Sequence, residues 1–117
     1  MISKDRQLDM LVGALEGGSN YWYLLGEYTL PESSKGKSGA ERIFDFIQDG
    51  GEIQIFDIED EDEAVGVLNK TNMGKATKTM IDDGAMWAVG QILKEEDDAN
   101  TADVWFQYVV MGKHVFG

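Results

Sequence analysis

The stretch that most constrains this chain is residues 52–69, EIQIFDIEDEDEAVGVLN. Ile53 and Ile55 alternate with Glu52 and Gln54, the period of a strand with one covered face. Phe56 and Ile58 then change parity around Asp57, which a bulge near Ile55-Phe56 explains. Val65, Val67 and Leu68 supply a partner strand, and Gly66 within it allows another piece of backbone to come close. Between the two strands run Glu59, Asp60, Glu61, Asp62 and Glu63, five consecutive carboxylates read as the acidic turn of a hairpin.

Segments with helical spacing lie on either side and need an apolar surface to cover. Leu8, Leu11, Val12 and Leu15 predict a helix over 4–16, with Ser3 as N-cap, Asp5 complementing the dipole and Gly17-Gly18 as a left-handed stop. Residues 19–30 are dense in aromatics and read as a strand. A polar loop over 31–39 ends in Ser38, which with Glu41 fits a capping box. That box opens a helix whose apolar face is Ala40, Ile43, Phe44 and Ile47, and Gly50-Gly51 ends it. Met73, Ala76, Thr77 and Met80 form one further stripe; Ala85, Ala88, Val89 and Ile92 form another. Asp82-Asp83-Gly84 breaks or kinks the helix between them, with Asp83 placed to cap the second half.

Trp87 lies off the second stripe; the core is its default place and a partner surface the alternative. Residues 101–111 carry both strand and helix propensity. A start at Asn100 or Thr101 and a stop at Gly112 favour helix, followed by a short strand at Val115-Phe116. The fold class is therefore α+β, one domain over 1–117: a small antiparallel sheet built on the central hairpin, with three to four helices packed against it.

The charge balance narrows function. Twenty-two acidic residues against ten basic give −12. Residues 1–50 hold eight acids and five bases (−3) and residues 51–117 fourteen and five (−9). Broad phosphate contact is disfavoured, because nucleic-acid affinity comes from Lys and Arg. A basic protein is the better-matched partner, although acidity also serves solubility. The chain has no Cys and one His, His114, which excludes disulfides and thiolate or histidine metal clusters. No signal-peptide layout or membrane-length apolar run is present, so the expected setting is cytoplasmic, without membrane partners.

Two motifs fail on spacing. Gly36-Lys37-Ser38 resembles the tail of a phosphate-binding loop, but Pro31 stands where the first Gly belongs. Counting a calcium loop from Asp57 puts Asp62 at the sixth position and Leu68 at the twelfth, where Gly and Glu are required. No catalytic constellation, cofactor or metal is expected. The aromatic cluster Tyr21, Trp22 and Tyr23 is most readily core, with stacking on a base as the alternative.

Leu15-Glu16-Gly17-Gly18 with Tyr21-Trp22, and Ala102-Asp103 through Gln107-Tyr108 to Gly112 and Val115-Phe116-Gly117, together resemble small uncharacterised acidic proteins encoded by bacteriophages and other mobile elements. The resemblance implies a genetic setting and supplies no catalytic residues. With it, the chain reads as a non-enzymatic acidic binding protein, an inhibitor of a host defence or nucleic-acid-processing protein through charge mimicry. Its contact residues would be Glu59, Asp60, Glu61, Asp62 and Glu63, with Glu95, Glu96, Asp97 and Asp98, and its partner a basic nuclease or defence effector. Alternatives are a nucleotide-binding or sponge protein, stacking a base on Tyr21, Trp22, Tyr23, Trp87 or Trp105 with Arg6, Lys35, Lys37 and Arg42 for phosphates, and a phage structural or assembly protein.

Overall fold

The helix Ala99–Met111 is buried on every side, with Thr101 through Val110 all inaccessible. A helix apolar all round can only sit inside, and the other elements are laid around this one. The computed structural model describes residues 2–30 and 36–117; the first five positions of the expected polar loop lie outside them.

In chain order, α1 (Lys4–Gly13) leads into a single π turn, Ala14–Gly18, and then β1 (Tyr23–Leu25). Next come α2 (Gly39–Gln48), β2 (Ile53–Asp57), β3 (Asp60–Leu68), α3 (Lys70–Asp82), α4 (Met86–Leu93) and α5 (Ala99–Met111). The three strands form an antiparallel sheet in the order β1-β2-β3. The fold is α+β, and the described residues contain five helices rather than three to four because 70–93 is two helices.

Local chemistry accounts for most boundaries. The Ser3 hydroxyl accepts from the Arg6 amide and Ser38 from Glu41, each capping its helix. Gly50, at φ 99°, and Gly112, at φ 73°, take the left-handed conformation that ends α2 and α5. Gly17-Gly18 does not behave as the expected left-handed stop. It closes the π turn, and a Cβ on Gly18 would strike the Ala99 carbonyl. The buried stripe of α1 is Met10, Leu11 and Ala14, with Leu8, Val12 and Leu15 only half-buried. Small residues decide that rotation: Gly13 lies so close to α5 that a Cβ there would be 3.0 Å from that of Ala102.

The register of β2 on β3 pairs Ile53 with Leu68, Ile55 with Gly66 and Phe56 with Ala64. A register shift does fall between Ile55 and Phe56, but the extra residue, Val65, is on β3. The close approach expected at Gly66 is to α5, since a Cβ there would sit 2.7 Å from the Val110 carbonyl carbon.

Three expectations need correction. Asp83 does not cap α4; its carboxyl accepts from the Tyr108 hydroxyl at 2.7 Å, and Ala85 stands at the N-cap without a side-chain bond. Val115-Phe116 is not a strand, because its amides are committed to the Gln107 side chain. Trp87 is not core: it is 48% exposed, beside Met86 at 54% and Leu93 at 55%.

Candidate partner-binding surfaces

The expected acidic turn is mostly strand. The hairpin loop is only Ile58-Glu59, with Asp57 paired to Asp60, while Glu61, Asp62 and Glu63 are extra residues on β3 before Ala64 rejoins the register opposite Phe56. Two of the acids build this shape: Asp57 Oδ1 accepts from the Glu59 amide at 2.8 Å, and Asp60 Oδ1 from the Asp62 amide at 3.1 Å. These are Asx turns, which hold a tight bend with a side-chain oxygen. Residues 59–63 are all exposed.

One face of the sheet covers α5. On the other, the alternation and register place Leu24 beside Phe56, with Gln54 and Val67 next in line. This second face holds an open hollow of about 580 Å³, lined by Leu24, Gly26, Gln54 and Phe56 with Glu27 and Glu61 among its walls. Gly26 is necessary to its shape, since a Cβ there would be 2.8 Å from the Gln54 carbonyl and 3.1 Å from the Phe56 ring. The hollow thus combines a half-buried aromatic floor with two carboxylates, at the root of the acidic hairpin.

The second acidic run is placed differently. Asp97 pairs with Arg6, which also bonds Asp9 at 2.7 Å and the Ile92 carbonyl at 3.2 Å. Burial alone would lower the Arg6 guanidinium, and the hydrogen bonds and charges of Asp9 and Asp97 outweigh it, so its pKa is raised. Asp98 is the N-cap of α5, forming a reciprocal capping box with Thr101. The Thr101 amide, then its hydroxyl, hold the Asp98 carboxyl below its ordinary range. Half of this run therefore has a structural role that the reading from sequence did not find, the signal being Asp98 three residues before Thr101. The runs also do not merge into one patch. Residues 95–98 precede the start of α5, while Glu63, Ala64 and Val65 share a hollow with Met111, its last residue, and with Lys113 beyond it, and thirteen helical residues rise about 20 Å.

The aromatic trio separates as well. Trp22 is 1% exposed, stacked on Phe116 with ring centres 5.3 Å apart, so no base can reach it. The Tyr23 ring is half-buried against Phe106. Tyr21 keeps a half-exposed ring, but its hydroxyl turns inward to Asp103 at 2.5 Å. Burial first, and the Asp103 bond second, push the Tyr21 phenol up to about 12. Of the proposed phosphate-binding bases, Arg6 is engaged as described, Lys37 is paired with Asp45, and Lys35 lies outside the described residues.

Asp103 is the centre of the most organised polar cluster. It is 4% exposed and accepts from Ser19 Oγ and Trp22 Nε1, both at 2.7 Å, from Tyr21, and from Gln107 Nε2 at 3.1 Å. Gln107 Oε1 in turn accepts from the amides of Val115 and Phe116, each at 2.8 Å. Tyr21, Trp22, Asp103, Gln107 and Phe116 thus meet in one cluster that clamps residues 115–116. With every donor satisfied and the carboxyl inaccessible, the cluster is suited to holding structure rather than to chemistry.

Among the described residues no group of three or more His, Cys, Asp or Glu is arranged to hold a metal ion, and no helix is long and apolar enough to cross a membrane. No protein-family model matches the chain, and neither a curated protein nor a solved structure matches it.

Proposed function

We propose that this chain is a non-enzymatic binding protein that engages a basic protein partner through the open face of its sheet. The setting we assign is a phage-type inhibitor of a host defence or nucleic-acid-processing protein, working by charge mimicry. The observation that carries this reading is the hollow over Leu24 and Phe56, walled by Glu27 and Glu61. An Arg or Lys side chain fits such a site: its aliphatic stem covers the leucine, its cationic head stacks on or near the phenyl ring, and the carboxylates neutralise it. The neighbouring residues 59–63 extend the negative potential that would steer a basic surface to the hollow.

The test is affinity capture from a lysate of the bacterial host, repeated with a Glu27→Lys/Glu61→Lys variant. A stoichiometric basic partner is expected, released as salt rises past about 0.15 M, where screening shortens to roughly 8 Å. The double variant should weaken capture by about a hundredfold, two charge reversals at about tenfold each. Capture indifferent to both salt and variant, or no partner at all, refutes the reading.

A further inference from the structure

The α4 helix presents a face that nothing in the fold covers. Ala88, Val89 and Ile92 are buried, while Met86, Trp87 and Leu93 are each about half exposed. Together they offer on the order of 300 Å² of apolar surface, at the lower end of the largest patch a monomer ordinarily shows, which is often a functional one. Met86, Gly90 and Leu93 follow one another at i, i+4 and i+7, and a Cβ on Gly90 would meet nothing within 4 Å. The face is therefore two apolar ridges with an open notch between them and an indole at its side. Ridges and a notch at helical spacing are what a second helix packs into.

The charges around the patch select among occupants. Exposed Asp82 and Asp83 precede the helix, the first paired with Lys78 and the second accepting from Tyr108, and exposed Glu95 and Glu96 follow it beside Lys94, so both flanks carry net negative charge. A second copy would bring like-charged flanks together on two chains that each carry −12. An anionic lipid surface would be repelled for the same reason.

We infer that α4 is a docking face for an amphipathic helix of another protein, one with an apolar centre and Lys or Arg toward both ends. An apolar side chain of that helix occupies the Gly90 notch against Trp87, and its basic ends meet the acidic flanks. This surface is separate from the hollow on the sheet, and the inference stands whether or not the hollow binds a partner.

The probe is a designed, tryptophan-free peptide with a leucine stripe and lysines at both ends, about 15 residues long so that it can fold on binding. Trp22 and Trp105 are 1% and 0% exposed, so a change in intrinsic emission reports Trp87. Expected results are saturable binding of the labelled peptide with a blue shift of emission, weakened about tenfold or more by Leu93→Glu, the loss typical of a buried anchor. Because Leu93 is exposed, L93E should keep its circular dichroism and melting curve. The Glu27→Lys/Glu61→Lys variant should bind the peptide as the parent does, which separates this surface from the sheet. Absence of saturable binding, equal binding by L93E, or equal binding of a peptide with Glu in place of Lys overturns the proposal. Self-association or vesicle binding that L93E abolishes would also overturn it, assigning the face to a second copy or a membrane.

Discussion

Removing the carboxyl group of Asp103 should destabilise this protein more than any other single polar substitution. Three of its four donors, on Ser19, Trp22 and Gln107, are themselves inaccessible. In Asp103→Ala each of these loses a partner without gaining water, at about 1–3 kcal/mol apiece. Relief of the buried carboxylate's own desolvation offsets part of that, leaving a net loss of about 4 kcal/mol. Asp103→Asn is the informative companion. Its amide oxygen can keep the Ser19 and Trp22 bonds, while its NH₂ faces the Tyr21 hydroxyl, which can reorient, and the Gln107 amide, which cannot flip but keeps its bond to the Phe116 carbonyl; the loss should be about 1–2 kcal/mol. Urea unfolding followed by tryptophan emission would read the difference. With a slope of about 2 kcal/mol/M, the midpoint should fall by about 2 M for the alanine variant and by under about 1 M for asparagine. The alanine variant should also expose the bond after Lys113 to trypsin, because Gln107 loses the neighbour that orients it. A midpoint shift below about 0.5 M, or an asparagine variant less stable than the alanine one, would refute the view of Asp103 as the pin of residues 19–22 and 115–116.

Two further outcomes follow from the packing and the phenols. Gly66→Ala should cost about 3 kcal/mol and lower the melting temperature by about 10 °C, because its Cβ would overlap the Val110 carbonyl; a melt within about 2 °C of the parent would contradict that approach. Tyr21 and Tyr108 are both raised to about 12, in each case by burial first and then by a hydrogen-bonded carboxyl, Asp103 or Asp83. An unfolded phenol titrates near 10, so this stabilisation is fully present below about pH 10 and is lost as pH rises through about 12. An ultraviolet titration with Tyr21→Phe and Tyr108→Phe variants should accordingly assign late-ionising phenols to both residues, in step with alkaline unfolding; ionisation of both near 10 would exclude both contacts.

What could be read from the sequence was what neighbours in the chain decide. Ser3, Ser38, Gly50 and Gly112 mark helix ends through bonds to residues a few positions away, and the close approach at Gly66 follows from a glycine set between Val65 and Val67 in a strand. The Asp103 cluster was not legible, because three of its four donors lie 81 to 84 positions away and neither the aromatic stretch nor the helix start reveals the other. The acidic residues misled in a different way. Acids favour turns, so 59–63 read as a tip, whereas only Ile58-Glu59 forms the loop and Asp57 and Asp60 fold the backbone back on itself. For Trp87, periodicity identifies two faces of α4 but not which of two apolar faces has something to lie against, and that depended on where α5 runs.

The position of α5 also sets the order in which this protein can become stable. The helix on which α1, the sheet and α3 are packed follows all of them in the chain, so on the ribosome each emerges before its main support exists. The roughly one hundred residues from the end of α1 to the end of α5 take about 5–20 s to synthesise. Until that interval ends Met10 and Leu11, and from their own synthesis onward Ile53, Ile55 and Leu68, have no α5 to cover them. The nascent segment that exposes the two isoleucines and Leu68 is the one that also carries five carboxylates in a row. Charge repulsion between nascent copies would keep such chains apart until the last helix arrives, a use for the acidic run that is over before any partner is met.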